Sequence, residues 1–174
     1  MEIAAHIVGL AALTLAVISL QQRTHKYILS FQIAATTAWL LHYLMLGAFT
    51  GAFLNAIAMI RSVVFVNKGK KWADNRAWLW GFCAICIIAG ILTWDGPASI
   101  LPILGMLCTT VAFWIKTPKY VRMTAFPSSP LWLVYNLINK SYAGAAAEII
   151  NMCSIIIAYI RLDMNKDTQK TEKQ

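Results

Sequence analysis

The chain contains itself twice. After a shift of 93 positions, residues 25–59 fall on residues 118–152 without a gap, with nine identities in 35 positions. Lys26-Tyr27 meets Lys119-Tyr120, Trp39-Leu40 meets Trp132-Leu133, and Gly51-Ala52 meets Gly144-Ala145. The same frame pairs His42 with Tyr135, Phe49 with Tyr142 and Asn55 with Glu148. A self-match of this length constrains the chain to build two like units, and it directs the search for a binding site to positions that recur in both.

The medium of those units follows from composition. Hydrophobic residues make up 59% of the 174, charged residues 13%, and mean hydropathy is +0.62. A soluble core of this size cannot hide so much apolar surface, so lipid is the expected solvent for most side chains. Apolar stretches of 17–20 residues suit a hydrocarbon core of roughly 30 Å. Seven are expected, at 3–20, 28–46, 50–66, 77–94, 99–115, 121–138 and 143–161. The second and sixth are diluted by Gln32, His42, Asn136 and two prolines. The fold expected is therefore an all-α membrane protein, one compact bundle of seven transmembrane helices.

The net charge of +8 is distributed as a topology signal. With seven spans, fourteen Lys and Arg residues fall on one side and Lys140 alone on the other. The positive-inside rule places the N-terminus outside and the C-terminus in the cytoplasm, and it accounts for the basic charge without a nucleic-acid partner. The first apolar stretch carries Glu2 and no basic n-region, so it is expected to be a retained span rather than a signal peptide. Cys83-x-x-Cys86 has the spacing of a redox or metal pair. With no second pair beside it, the expectation is two small packing residues in lipid.

Turns are short: Gly47–Gly51 between spans two and three, Lys140–Gly144 between six and seven, and the basic loop Asn67–Arg76. A three-span unit ends on the side opposite its start, so two units of like orientation need one extra span between them. The expected division is a first three-helix unit at 1–66, a basic loop and linker helix at 67–98 (span 77–94), and a second three-helix unit at 99–161. A disordered cytoplasmic tail is expected at 162–174. This is a 3+1+3 parallel repeat about an axis along the membrane normal.

Polar groups inside hydrocarbon need a partner or a purpose. The second helix of each unit presents Trp39 and His42, or Trp132, Tyr135 and Asn136, at i, i+3 and i+4 and hence on one face. The third helix presents Asn55 or, at the equivalent place, Glu148, with Asn151 one turn on. In both units the Trp precedes the third-helix polar residue by sixteen positions. Aromatic faces beside amide and carboxylate acceptors suit a small polar ligand such as a sugar, nucleoside or amino-acid-like solute. Blander roles also fit: Trp as an interfacial anchor, Asn55 as an interhelical bond, Arg61 snorkelling to the membrane surface. A carboxylate at position 148 needs a proton, a partner or water. Pro127 and Pro130 each remove a backbone donor in span six and are candidate hinges. The first unit has no proline.

The basic Gln21-Gln22-Arg23 to Lys26 segment, then His42-Tyr43-Leu44-x-Leu46-Gly47-Ala48-x-Thr50-Gly51-Ala52, Asn55 and Arg61, resembles the YgjV-type family of bacterial inner-membrane proteins over nearly the whole chain. The resemblance implies a multi-pass protein of the bacterial inner (plasma) membrane. More distantly the chain is similar to SWEET, SemiSWEET and PQ-loop transporters, which share parallel three-helix units and an aromatic-plus-Asn pocket. That likeness would place Trp39 and Asn55, and Trp132, in the pocket; Glu148 stands where the family has Asn, and no Pro-Gln pair occurs.

Two function classes remain open: a small-solute transporter working by alternating access of two units, and a non-transporting structural or partner-binding membrane protein. An enzyme is not expected, because His6, His25 and His42 are scattered and no nucleophile–base pair or metal cluster is legible. No cofactor is expected. The partners expected are the lipid bilayer and a small polar solute, with a second copy of the chain as a further candidate.

Overall fold

Backbone amides set the secondary structure: in an apolar setting each N–H and C=O must be satisfied within its own segment, which favours helices. The computed structural model describes residues 2–45, 49–92, 94, 96–138 and 142–164, and among these it is all-helical, without a strand. Eight α-helices follow one another: α1 Glu2–Leu20, α2 His25–Met45, α3 Phe49–Val66, α4 Arg76–Leu92, α5 Ile100–Trp114, α6 Pro118–Ala125, α7 Ser128–Ile138 and α8 Tyr142–Tyr159. A 3₁₀ turn, Pro97–Ser99, leads into α5, and a π-helical segment, Ile160–Met164, continues α8. The turns expected at Gly47–Gly51 and Lys140–Gly144 lie in part outside the described residues, as do residues 165–174.

Local chemistry explains the ends. Thr24 Oγ1 accepts from Tyr27 N–H at 3.4 Å and caps α2, while Asn67 Nδ2 donates to the Val63 carbonyl at 2.8 Å and closes α3. Gly96 has φ +99°, a conformation that favours glycine, and Pro97 then suits the first position of a helical turn. Hydroxyls inside the helices bond back to their own backbone. Thr37 Oγ1 donates to Ile33 O at 2.8 Å, Thr110 Oγ1 to Met106 O at 2.7 Å, and Ser62 Oγ to Ala58 O at 2.9 Å.

The chain divides into two compact units, Met1–Asn75 and Arg76–Gln174. In the first, α2 packs against both α1 and α3. Ser19 Oγ donates to the Ile28 carbonyl at 2.8 Å, tying the end of α1 to the start of α2. In the second, α5 packs against α4, α6 and α7, and α7 packs against α8. Helix α4 therefore associates with the second unit, where Ile103 lies against Gly90 and Cys86 Sγ sits 3.8 Å from Thr110 Oγ1. Cys83 and Cys86 are buried free thiols.

Buried positions recur at the offset of 93. Ser19 and Ala112, Leu20 and Phe113, Ile28 and Val121, Leu29 and Arg122, Thr36 and Ser129, Arg61 and Ser154, and Phe65 and Ala158 are all buried. Burial of Arg61 differs from the snorkelling expected for it: its side chain is enclosed by protein, 5% exposed.

Three further features depart from expectation. Two helical segments, Pro97–Trp114 and Ala145–Met164, are long and apolar enough to cross a membrane, each with hydropathy 1.6; Ile7–Leu20, Leu54–Val66 and Arg76–Leu92 are apolar but shorter. Span six is broken in two, because Pro127 has no N–H for the Met123 carbonyl and Pro130 none for Phe126; Phe126 O accepts from Ser129 N–H at 3.2 Å instead. Finally, the helical path runs on through Leu162–Met164, where a disordered tail was expected, because Asp163 turns inward to Arg122.

That contact is a bidentate ion pair. Arg122 Nε donates to Asp163 Oδ2 at 2.8 Å and Nη2 to Oδ1 at 2.7 Å, with the side chains 1% and 7% exposed. It joins α6 to the segment after α8. Removing one partner leaves the other charge buried alone, so Arg122→Met or Asp163→Asn is expected to cost about 3–5 kcal/mol, whereas an apolar pair at both positions recovers most of it. Denaturation of the purified variants in detergent checks this; a single variant that melts with the wild type would show the pair to be dispensable.

Candidate functional site

Helices α2 and α7, matched by the offset of 93, each carry an aromatic pair whose spacing of three residues brings the rings together on one face. In α2 the Trp39 and His42 rings meet edge to face, with centroids 5.4 Å apart and planes at 81°. In α7 the Trp132 and Tyr135 rings do the same at 5.8 Å and 88°. The geometry is the one aromatic quadrupoles prefer. Thus two sequence-equivalent pairs, with a histidine exchanged for a tyrosine, keep one arrangement.

Each pair is fixed by a glycine on the neighbouring helix. His42 Nδ1 lies 2.7 Å from the Ala5 carbonyl, so that nitrogen carries the proton and donates. The ring rests on α1 where a Cβ added to Gly9 would stand 2.9 Å from Nδ1. Trp132 rests on α5, where a Cβ on Gly105 would stand 2.7 Å from the indole Nε1 and 3.2 Å from Ser128 Oγ. Close approach of this kind needs a residue without a side chain.

Residues of α3 and α8 supply the polar component. Asn55 on α3 is half-buried, and Glu148 and Asn151 on α8 are half-buried too. The Glu148 carboxylate accepts hydrogen bonds from the side chains of Ser129 on α7 and Asn151 one turn on along α8. Both described partners are neutral. Asn151 Oδ1 is buried and has no hydrogen-bond partner among the described residues. Asn136 follows Tyr135 on α7 and is half-buried.

Of the residues expected at the site, the structure therefore groups Trp39 with His42, Trp132 with Tyr135, and Glu148 with Asn151. The first group belongs to the first unit and the others to the second. Pro127 lies between α6 and α7, and Pro130 in the first turn of α7. Two participants were missed by sequence reasoning. Ser129 looked like an unremarkable hydroxyl between two prolines; the signal was its place at a helix interruption. The Arg122–Asp163 pair was hidden by 41 positions of sequence, although Arg122 lay inside an apolar span and so required an anion. Among the described residues no group of His, Cys, Asp and Glu could hold a metal ion by those ligand types.

Gly105→Ala is expected to force the rigid Trp132 indole to move, at about 1–3 kcal/mol, and to shift tryptophan emission. Gly81→Ala, with nothing within 4 Å of the added carbon, serves as the comparison and is expected to be neutral or slightly stabilising. Equal melting temperatures for the two variants would contradict the tight contact.

Among known proteins, the family model Imp-YgjV, described as a bacterial inner membrane protein, matches residues 3–166. No curated protein and no solved structure matches the chain.

Proposed function

Because the chain belongs to the Imp-YgjV family of bacterial inner membrane proteins, we propose that it is a seven-span transporter of a small polar solute, built as a 3+1+3 parallel repeat. The observation that carries this reading is the paired chemistry: the same edge-to-face aromatic pair stands on the second helix of each unit, followed sixteen positions after its Trp by Asn55 or Glu148. Recurrence of buried positions at the offset of 93 supports two like units.

In this reading α1, α2, α3, α4 and α5 each make one span, α6 with α7 makes the sixth, and α8 makes the seventh. Helix α2 is not among the apolar segments, and it carries Gln32, Thr36, Thr37 and His42, polar groups that a solute path would use. Within each unit an aromatic face, from Trp39 in the first and from Trp132 and Tyr135 in the second, suits an apolar ring or sugar face. The polar groups of the same unit, His42 and Asn55 in the first and Asn136, Glu148 and Asn151 in the second, suit hydrogen bonds to a polar edge. Transport proceeds by movement of one three-helix unit against the other, with the proline interruption between α6 and α7 as a hinge in the second.

Charge asymmetry gives the orientation: N-terminus outside, C-terminus in the cytoplasm. A green fluorescent protein fused after Gln174 is then expected to fluoresce, and a dark fusion of normal abundance would reverse the orientation. For transport, counterflow of radiolabelled glucose, uridine and alanine, one at a time, into proteoliposomes is expected to show saturable uptake of one class. Trp39→Ala and Trp132→Ala are each expected to reduce that uptake at least tenfold. No counterflow of any of the three above empty liposomes, or uptake indifferent to both variants, overturns this reading.

One observation supports a second reading, a non-transporting structural or partner-binding protein. Trp132 packs on Gly105 and His42 bonds to the Ala5 carbonyl, so both aromatics also knit their helices together. That reading expects Trp132→Ala to lower the melting temperature without any solute protecting the wild type.

A further inference from the structure

We propose that Ser129, Glu148 and Asn151 form a binding site for one sodium ion in the second unit. The proposal rests on the same cluster that the transport reading uses, but it concerns an ion rather than the solute.

Three oxygen-bearing side chains meet there, and they come from two helices. Glu148 supplies a carboxylate, Ser129 a hydroxyl and Asn151 an amide, and the first is hydrogen-bonded to the other two. No nitrogen or sulfur ligand is involved. Hard oxygen donors suit alkali and alkaline-earth ions rather than transition metals. The charge count then selects among them. One carboxylate neutralises one positive charge, whereas divalent calcium ordinarily draws on several carboxylates and magnesium keeps a shell of waters. A monovalent ion leaves the cluster electrically neutral, which matters most inside hydrocarbon.

Two features show that the cluster is incomplete as it stands. The carboxyl group's described hydrogen-bond partners are neutral, so its ionised form has no counter-charge within the cluster. Asn151 Oδ1 is buried with no hydrogen-bond partner among the described residues. An orphaned buried acceptor costs about 1–3 kcal/mol. Because it belongs to the amide that already faces Glu148, a half-turn of that amide presents the oxygen to an ion held by the carboxylate. A cation thus answers the unbalanced charge and the unsatisfied acceptor together.

Backbone geometry adds the remaining ligands. Helix α6 ends at Ala125 and α7 begins at Ser128, so the carbonyl end of a short helix lies four residues before Ser129. Pro127 withholds the N–H that the Met123 carbonyl would otherwise receive, whereas the Phe126 carbonyl accepts from Ser129 N–H at 3.2 Å. Interrupted helices in membrane proteins use such freed carbonyls and half-helix ends to coordinate sodium. By helical rise, Ser129 lies eleven residues into the segment Pro118–Ile138, near its middle.

The first unit lacks the carboxylate and the helix break. At the equivalent positions it has Thr36, Asn55 and Ala58, with no carboxylate. Helix α2 runs unbroken from His25 to Met45, and Thr36 Oγ1 bonds to Gln32 O at 2.9 Å and Ile33 O at 3.1 Å within its own helix. One site per chain is the expectation.

Full-length protein in detergent, immobilised for scintillation proximity, is incubated with ²²Na⁺. Saturable binding is expected, displaced by NaCl and unaffected by choline chloride at the same ionic strength. Glu148→Gln is expected to abolish it, and Ser129→Ala and Asn151→Ala each to weaken it at least tenfold. Thr14→Ala, an exposed hydroxyl on α1, is expected to leave it unchanged. Wild-type protein without saturable ²²Na⁺ binding overturns the proposal whatever the variants do, and so does a folded Glu148→Gln that retains it. Binding intact while no solute shows counterflow would remove the transport reading and leave the ion site standing.

Discussion

A polar group that these apolar helices bury has to find its partner inside the protein, and the packing follows from that requirement. Water is absent from a hydrocarbon core, so helix hydroxyls return to their own carbonyls, as Thr36, Thr37, Ser62 and Thr110 do. Where a helix cannot serve itself, another must. Ser19 reaches Ile28 O on the next helix, His42 reaches Ala5 O, and Arg122 takes both oxygens of Asp163. Lipid gives helices no hydrophobic reason to associate, so these bonds and close van der Waals contact hold each unit. Glycine does the second part: Gly9, Gly90 and Gly105 admit His42, Ile103 and Trp132 to contacts that a Cβ would block.

The same constraint turns exceptions into information. Asn151 Oδ1 is buried without a hydrogen-bond partner among the described residues, and it belongs to a side chain that meets the Glu148 carboxylate. Ser129, the other partner of that carboxylate, follows the helix interruption at Pro127. An unanswered acceptor beside a carboxylate is what a cation site requires. The repeat then supplies an internal control, since the matching place in the first unit has a continuous helix and a hydroxyl turned onto it.

Much was legible in the chain because it depended on local pattern. Helix α1 extends over Glu2–Leu20 against an expected 3–20, α3 over Phe49–Val66 against 50–66, and α4 over Arg76–Leu92 against 77–94, since the apolar run and its flanking charges define each of them. Spacing of three predicted that Trp39 and His42, and Trp132 and Tyr135, would share a face. The prolines marked an interruption, but not that α6 would end outright and α7 begin afresh. The last helix runs past the expected 161 because Asp163, which reads as the start of a polar stretch, is held by Arg122.

The sequence by itself determined the helical class, the family and the recurrence of chemistry at 93 positions, because hydropathy and periodicity act over a few neighbouring residues. Tertiary structure alone decided which polar groups are answered. Arg122 and Asp163 are 41 residues apart, and Ser129 meets Glu148 across the packing of α7 on α8. It also decided that Trp132 would rest on Gly105 and that α4 would join the second unit. Such contacts depend on which faces of two helices are pressed together, and no local pattern in either helix encodes that choice.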